Sequence, residues 1–311
     1  MNKQINDLNY DEYLFLDIET SRQVEELTEN HPHYDVWRYK QRNKDTQELP
    51  THEETVKSYK DKSALLAEFG KIVCISIGYI NGDTIVTKSY TGDEKEILKD
   101  AVKAIKSSGR KLAIHNSSFD IPFIRKRWFI NGLPFGDYLT QNDVFEKPWT
   151  FSSKVFCTME AWKSVAYTNT SLDELAMCFN IPSSKDGEVV GSNVGDAYFE
   201  GKIDAIAEYC EKDVVVVANL LRKWKGDDLL IHISKTGQET KEEEQPILLE
   251  IYNSKELNID KLKAYLKERN YTSDDFEEVR DIILSVYLDK SDKKGDINTK
   301  TKEVEQILNQ C

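Results

Sequence analysis

The sequence predicts an α/β fold: a mixed sheet flanked by helices, with a helical insertion after the first strand and a small α-helical C-terminal region. Three observations carry this. Strand-like runs at 13–18, 72–80 and 84–90 come first, the last two joined by Asn81-Gly82-Asp83, a hairpin signal. Helix and strand then alternate through residue 130, the pattern of helices laid on sheet faces. Residues 203–225 form an amphipathic helix, with apolar side chains at helical spacing.

The first strand is the apolar run Tyr13-Leu14-Phe15-Leu16-Asp17-Ile18-Glu19-Thr20. Side chains alternate along a strand, so Asp17 and Glu19 share one face and Ile18 takes the other. Between Thr20 and Phe69 lies a polar segment far longer than an ordinary connection, holding Trp37, Arg38, Tyr39, Lys40 and Arg42 and a helical stretch around 55–68. Residues 93–108 read as a helix capped by Asp93, with Ile97, Leu98, Ala101, Val102 and Ile105 on its apolar face. Residues 111–115 form the next strand and 119–130 the next helix, with Asp120 at the junction. Ser171 and Glu174 have capping-box spacing. In the 203–225 helix, Tyr209 and Asp213 are four residues apart and share a face.

The expected organisation is a domain over 1–226 with the insertion at 21–69, a linker at 227–246, and a helical region at 247–311. The linker carries Lys241-Glu242-Glu243-Glu244, although the 229–233 run has the character of an edge strand. Helices are expected at 247–253, 260–268, 274–288 and 300–308; their apolar faces fit either a stabilising appendage or a partner-binding module.

The 311 residues carry a net charge of −13, which argues against a general nucleic-acid coating protein. The part from Asp227 onward holds 20 acids and 13 bases, so about half the excess lies outside the first domain. No apolar run approaches the roughly 18 residues of a membrane span, and the N-terminus lacks the apolar centre of a secretion signal. Cys74, Cys157, Cys178, Cys210 and Cys311 show no metal-ligand or disulfide spacing. Cys74 and Cys210 read as core thiols, and a cytoplasmic location is expected.

Asp17, Glu19, Asp120 and Asp213 are the candidate metal ligands. Clustered carboxylates repel unless cations compensate them, and hard oxygen donors suit Mg²⁺ or Mn²⁺. Singly, each acid has a plain alternative: strand-end charges for Asp17 and Glu19, a helix cap for Asp120, an exposed helix residue for Asp213. Together, Leu16-Asp17-Ile18-Glu19-Thr20, Asn116-Ser117-Ser118-Phe119-Asp120 and Tyr209-Cys210-Glu211-Lys212-Asp213 resemble the motifs of DEDD 3′–5′ exonucleases, in the subgroup with tyrosine in the last motif. The segments 69–76, 131–134, 171–176 and 181–185 are similar to predicted exonucleases related to the proofreading domain of family B DNA polymerases, extending the resemblance over about 13–225.

The resemblance implies a ribonuclease H-like fold and a two-metal hydrolysis of phosphodiester bonds at DNA 3′ ends, single-stranded or frayed, releasing nucleoside 5′-monophosphates. Asp17 would bridge two divalent cations, Glu19 and Asp213 would complete the site of the attacking water, Asp120 would act mainly through metal-bound water, and Tyr209 would orient the nucleophile. Thr20, Asn116, Phe119 and Leu175 would contact the terminal nucleotide; a core position is the alternative for Leu175. Arg125, Lys126 and Arg127 suit phosphate contact, although three consecutive residues cannot all face one way on a helix. His115 reads as structural. The 21–69 insertion is either a surface element or a flap whose aromatic and basic residues guide single-stranded DNA. Cys157 stands where relatives commonly carry aspartate outside the metal-binding four. An RNA-trimming exonuclease and a non-catalytic polymerase-associated DNA-binding module are the rival readings. The residues left over are expected to be too few for polymerase palm or fingers, so proofreading or repair would involve a separate DNA polymerase or replication protein.

Overall fold

The alternation in the first strand sorts the core onto two sheet faces. In the computed structural model, which describes residues 9–134, 155–236, 280, 283–284, 287–288 and 292–308, β1 spans Tyr13–Arg22. Leu14, Leu16 and Ile18 join one buried cluster, whereas Phe15 joins another with Ala113, Val214 and Val217. The chain divides into two compact units, Met1–Gly237 and Gln238–Cys311.

In the first unit, β1 is followed by α1 (Tyr34–Lys40), α2 (His52–Lys62), β2 (Gly70–Asn81), β3 (Thr84–Thr91), α3 (Glu94–Ser108), β4 (Lys111–Ile114) and α4 (Ser117–Ile130). Next come β5 (Val155–Cys157), α5 (Thr158–Lys163), α6 (Leu172–Cys178), α7 (Val194–Phe199), α8 (Ile203–Lys225) and β6 (Ile231–Ser234). The sheet order is β5-β4-β1-β2-β3-β6. β1–β2 and β2–β3 pair antiparallel, and β1–β4, β4–β5 and β3–β6 pair parallel. This mixed sheet with flanking helices is a ribonuclease H-like α/β fold.

The hairpin forms as its sequence demands: Gly82 adopts a φ of 58°, a value an L side chain resists, and the turn closes β2 onto β3. Asp93 caps α3 by accepting from the N–H groups of Lys95 and Glu96, and the apolar stripe from Ile97 to Ile105 packs under the sheet. β1 runs further than the apolar pattern indicates. Its register steps from Glu19↔Cys74 to Thr20↔Ile72, a β-bulge, after which Ser21 and Arg22 continue pairing with Lys71 and Gly70. The insertion therefore leaves the sheet only after Arg22.

Within the insertion, Thr51 and Glu54 form a reciprocal capping box that starts α2 at His52, earlier than the apolar pattern alone indicated. α1 and α2 enclose a core of their own from Leu27, Tyr34, Trp37, Tyr59 and Phe69. Trp37 has no exposed surface, donates from Nε1 to Ser58 Oγ at 3.0 Å, and meets Tyr59 and Phe69 edge-on. It cannot stack on a base, which removes it from the flap reading. Tyr39 is 60% exposed, with Arg42 over its ring.

β6 joins the sheet edge, overlapping the run marked as strand-like at 229–233 and ending one residue beyond it. In the second unit, α9 (Lys294–Leu308) contains the helix expected at 300–308. Tyr287 donates to Glu303 at 2.9 Å, and Lys300 pairs with Asp292 at 2.8 Å. The helices expected at 247–253 and 260–268, and most of 274–288, lie outside the described residues. Among the described residues, no helix is long and apolar enough to cross a membrane.

Candidate metal centre

Three elements converge on one point. β1 presents Asp17 and Glu19 on the face that also carries Phe15, toward α8, whose Val214 packs in the same cluster as Phe15. α8 supplies Tyr209, Cys210 and Asp213, spaced so that its buried stripe covers the sheet. α4 supplies Asp120 in its first turn, where a carboxylate favours the helix dipole. Glu19, Asp120 and Asp213 are buried, and Asp17 keeps a partly exposed rim.

Electrostatics show how tightly the acids are grouped. Burial, then the charges of Asp213, Glu19 and Asp120, push the Asp17 carboxyl well above its usual range. Glu19 is raised by burial and then by Asp213, with Asp120 adding to it. Asp120 is pushed up to about 8, chiefly by burial, against hydrogen bonds at its own backbone and that of Ile18. Asp213 is raised by burial against hydrogen bonds from Ser184 and Tyr209 and the nearby charge of Lys185. Burial, then the carboxylates of Asp213, Glu19 and Asp17, drive the Tyr209 hydroxyl far above its usual value. Among the described residues, no ion pair joins a lysine or arginine to Asp17, Glu19 or Asp120. Four carboxylates buried close enough for their charges to act on one another, with Lys185 beside Asp213, are a donor set that divalent cations fit.

The other anticipated contacts divide. Asn116 is the residue before α4, in a left-handed conformation (φ 64°), and its Oδ1 accepts from Ser118 Oγ at 2.7 Å. Phe119 is half-buried with its ring 5.3 Å from Phe123, and Thr20 sits buried just past the bulge. Leu175 does not reach the centre's surface. It has no exposure and packs with Ile181, Val216 and Leu220, so it is a core leucine and not a wedge.

Arg127 is likewise corrected. Its guanidinium donates twice to Glu94 at 2.8 and 2.6 Å and once to the Ala67 carbonyl, and so clamps α4 to α3; it is buried and does not face a surface phosphate. Lys126 pairs with Glu68 at the surface. His115 is structural: Nδ1 bonds Thr158 Oγ1 at 2.9 Å, and burial lowers its pKa to about 4.

A family described as predicted 3′–5′ exonucleases related to the exonuclease domain of PolB matches residues 64–223, just over half of the chain. The chain belongs to that family. Membership in this predicted exonuclease family supports nuclease activity and implies a nucleic-acid substrate. The matched region contains Asp120, Tyr209 and Asp213 and begins after Asp17 and Glu19, so the first two acids reach the centre through the fold, on β1 paired to β2. No curated protein matches the chain.

Two neighbours of the acids escaped sequence reasoning. Cys210 is the core thiol expected, yet its Sγ lies 3.4 Å from Asp17 Oδ2, as a donor. Ser184 also meets Asp213, from the 181–185 segment. No local pattern announces either contact, because both depend on how α8 docks.

Proposed function

We propose that the chain is a metal-dependent 3′–5′ exonuclease that hydrolyses the terminal phosphodiester bond of single-stranded or frayed DNA 3′ ends and releases nucleoside 5′-monophosphates. The observation that carries this reading is the meeting of Asp17, Glu19, Asp120, Asp213 and Tyr209 at one buried point in a member of a predicted exonuclease family.

Asp17, Glu19, Asp120 and Asp213 would hold two divalent cations, Mg²⁺ or Mn²⁺. When bound, such a pair lowers the pKa of water and neutralises charge on the phosphate and the leaving oxygen. Tyr209 hydrogen-bonds Asp213, and its raised pKa keeps the hydroxyl protonated, so it orients the attacking water and does not remove its proton. Burial of Glu19, Asp120 and Asp213 limits bulk water around them, which strengthens the charge interactions inside the centre. Thr20, through its backbone N–H, and Asn116 and Phe119 would seat the terminal nucleotide. A role in proofreading or repair, beside a separate DNA polymerase or replication protein, follows from the family resemblance alone.

The test is incubation of 5′-labelled DNA and matched RNA oligonucleotides with Mg²⁺ or Mn²⁺. The wild-type chain should shorten the DNA stepwise from its 3′ end, and Asp17→Ala and Asp213→Ala should not. Faster trimming of RNA would transfer the proposal to that substrate. Equal shortening by both variants, or metal-independent shortening, would overturn it.

A further inference from the structure

Cys210 lies within the acidic centre, and no role above uses it. Its side chain is wholly buried, and Sγ sits 3.4 Å from Asp17 Oδ2 and 3.5 Å from the Asp17 carbonyl oxygen. Donor atoms of Asp17, Glu19 and Cys210 all lie within 4.8 Å of one another. Glu19 gives an independent indication that this spot awaits a ligand. It is 8% exposed, and its carboxylate takes part in no hydrogen bond or ion pair among the described residues, while it faces the charge of Asp213. A buried carboxylate in that position needs a cation or a proton.

We propose that Asp17, Glu19 and Cys210 form a binding site for a thiophilic divalent cation, of the zinc and cadmium class, that overlaps and blocks the hard-cation centre. The inference rests on the reading of the acids as a metal centre and adds a donor of different chemistry to it. Around a tetrahedral ion, bonds of roughly 2.3 Å to sulfur and 2.1 Å to oxygen place the two donors about 3.6 Å apart. The Sγ–Oδ2 separation of 3.4 Å already approaches this.

Hard cations prefer oxygen and leave the thiol protonated, as the donor to Asp17. A thiophilic cation instead forms a bond to sulfur, and the thiol proton is released to solvent. Three protein donors leave a fourth position open for water or a phosphate oxygen. Such an ion occupies Asp17 and Glu19 and so displaces the ions that hydrolysis needs. Cys74, opposite Glu19 in the β1–β2 register and 3.7 Å from Ser76 Oγ, is the neighbouring thiol against which the assignment is checked.

The experiment uses the full chain, stripped of metal, in a Cys178→Ser/Cys311→Ser background. Cd²⁺ alone is titrated while the ultraviolet sulfur-to-cadmium charge-transfer band is followed, and Mn²⁺ alone is titrated in parallel by electron paramagnetic resonance. The expected result is one saturating Cd²⁺ per chain, with the band abolished and Cd²⁺ affinity lowered about tenfold or more by Cys210→Ser, but the band retained in Cys74→Ser. Asp17→Asn and Glu19→Gln keep every thiol and should each weaken Cd²⁺ binding. They decide the matter if Cys210→Ser loses its circular dichroism. Mn²⁺ binding without a Cd²⁺ band, a band that survives Cys210→Ser, or carboxylate variants that bind Cd²⁺ as tightly as the parent would overturn the inference and leave the metal centre standing. Failure of both Mn²⁺ and Cd²⁺ to bind would overturn the two together.

Discussion

Gly78 offers the sharpest link between packing and the centre. It lies in β2 opposite Phe15, under α8. A Cβ placed there would stand 2.8 Å from Val214 Cγ1 and 3.2 Å from both Ile85 Cδ1 and Thr87 Cγ2. Comfortable carbon contacts are about 3.5–4.0 Å, so in Gly78→Ala the helix must retreat by about 1 Å at the residue directly after Asp213. Overpacking of this size costs about 1–3 kcal/mol, and at about 2–4 °C per kcal/mol the melting midpoint should fall by about 2–12 °C. A displacement near 1 Å in a centre of this kind should lower the rate of 3′-end hydrolysis by about 100-fold. Val214→Ala removes the blocking methyl, so the double variant should recover both quantities relative to the sum of the single changes. Melting by circular dichroism and single-turnover oligonucleotide cleavage read the two effects. A Gly78→Ala chain with unchanged midpoint and rate, or a double variant no better than additive, would refute the reasoning that β2 sets the height of α8.

Other perturbations separate scaffold from chemistry. Arg127→Met should cost about 3 kcal/mol, because it leaves the largely enclosed Glu94 carboxylate short of its main partner, while the rate per folded molecule stays unchanged; a raised KM for oligonucleotide at full stability would restore the phosphate-contact reading. Trp37→Ala should cost about 3–5 kcal/mol and expose the insertion to limited proteolysis between 23 and 69, and a protease-resistant variant would contradict the separate core assigned there. Tyr209→Phe should lower the rate by about 100-fold with Mn²⁺ affinity preserved, whereas equal loss of both would make Tyr209 a support for Asp213 only. Burial holds His115 neutral down to about pH 4, whereas the unfolded chain takes its proton near 6.5. The stability from this difference is therefore complete above pH 6.5 and is lost as pH falls toward 4, by up to about 3 kcal/mol. Chemical denaturation across that window should show a flatter limb in His115→Gln, and an identical limb would assign the loss to other groups.

The legible parts of the sequence were those governed by short-range rules. The alternation around Asp17 and Glu19, the Gly82 turn, the Asp93 cap and the stripe along α8 each follow from neighbours within a few residues. What failed depended on long-range docking. Arg127 looked like a phosphate contact because a basic run on a helix says nothing about a glutamate 33 residues away, and it is Glu94 that takes the guanidinium. Trp37 and Leu175 stay open between substrate contact and packing on sequence alone, because sequence cannot distinguish an aromatic or a leucine under a second layer from one at a surface. The continuation of β1 past Thr20 is hidden by a bulge, which shifts the register by one residue and lets polar Ser21 and Arg22 go on pairing with Lys71 and Gly70. Cys210 was recognised as buried, but its distance to Asp17 is set by the approach of a helix 193 residues away.

The position of β1 in the middle of the sheet has a consequence for truncated forms of the chain. A fragment starting near residue 64 would still carry the whole stretch by which the family is recognised. It would lack the strand that separates β4 from β2, and with it half of the acidic quartet. Such a product would keep its pedigree while losing both its architecture and its chemistry, so kinship inferred from the matched stretch alone is no guarantee of an intact nuclease.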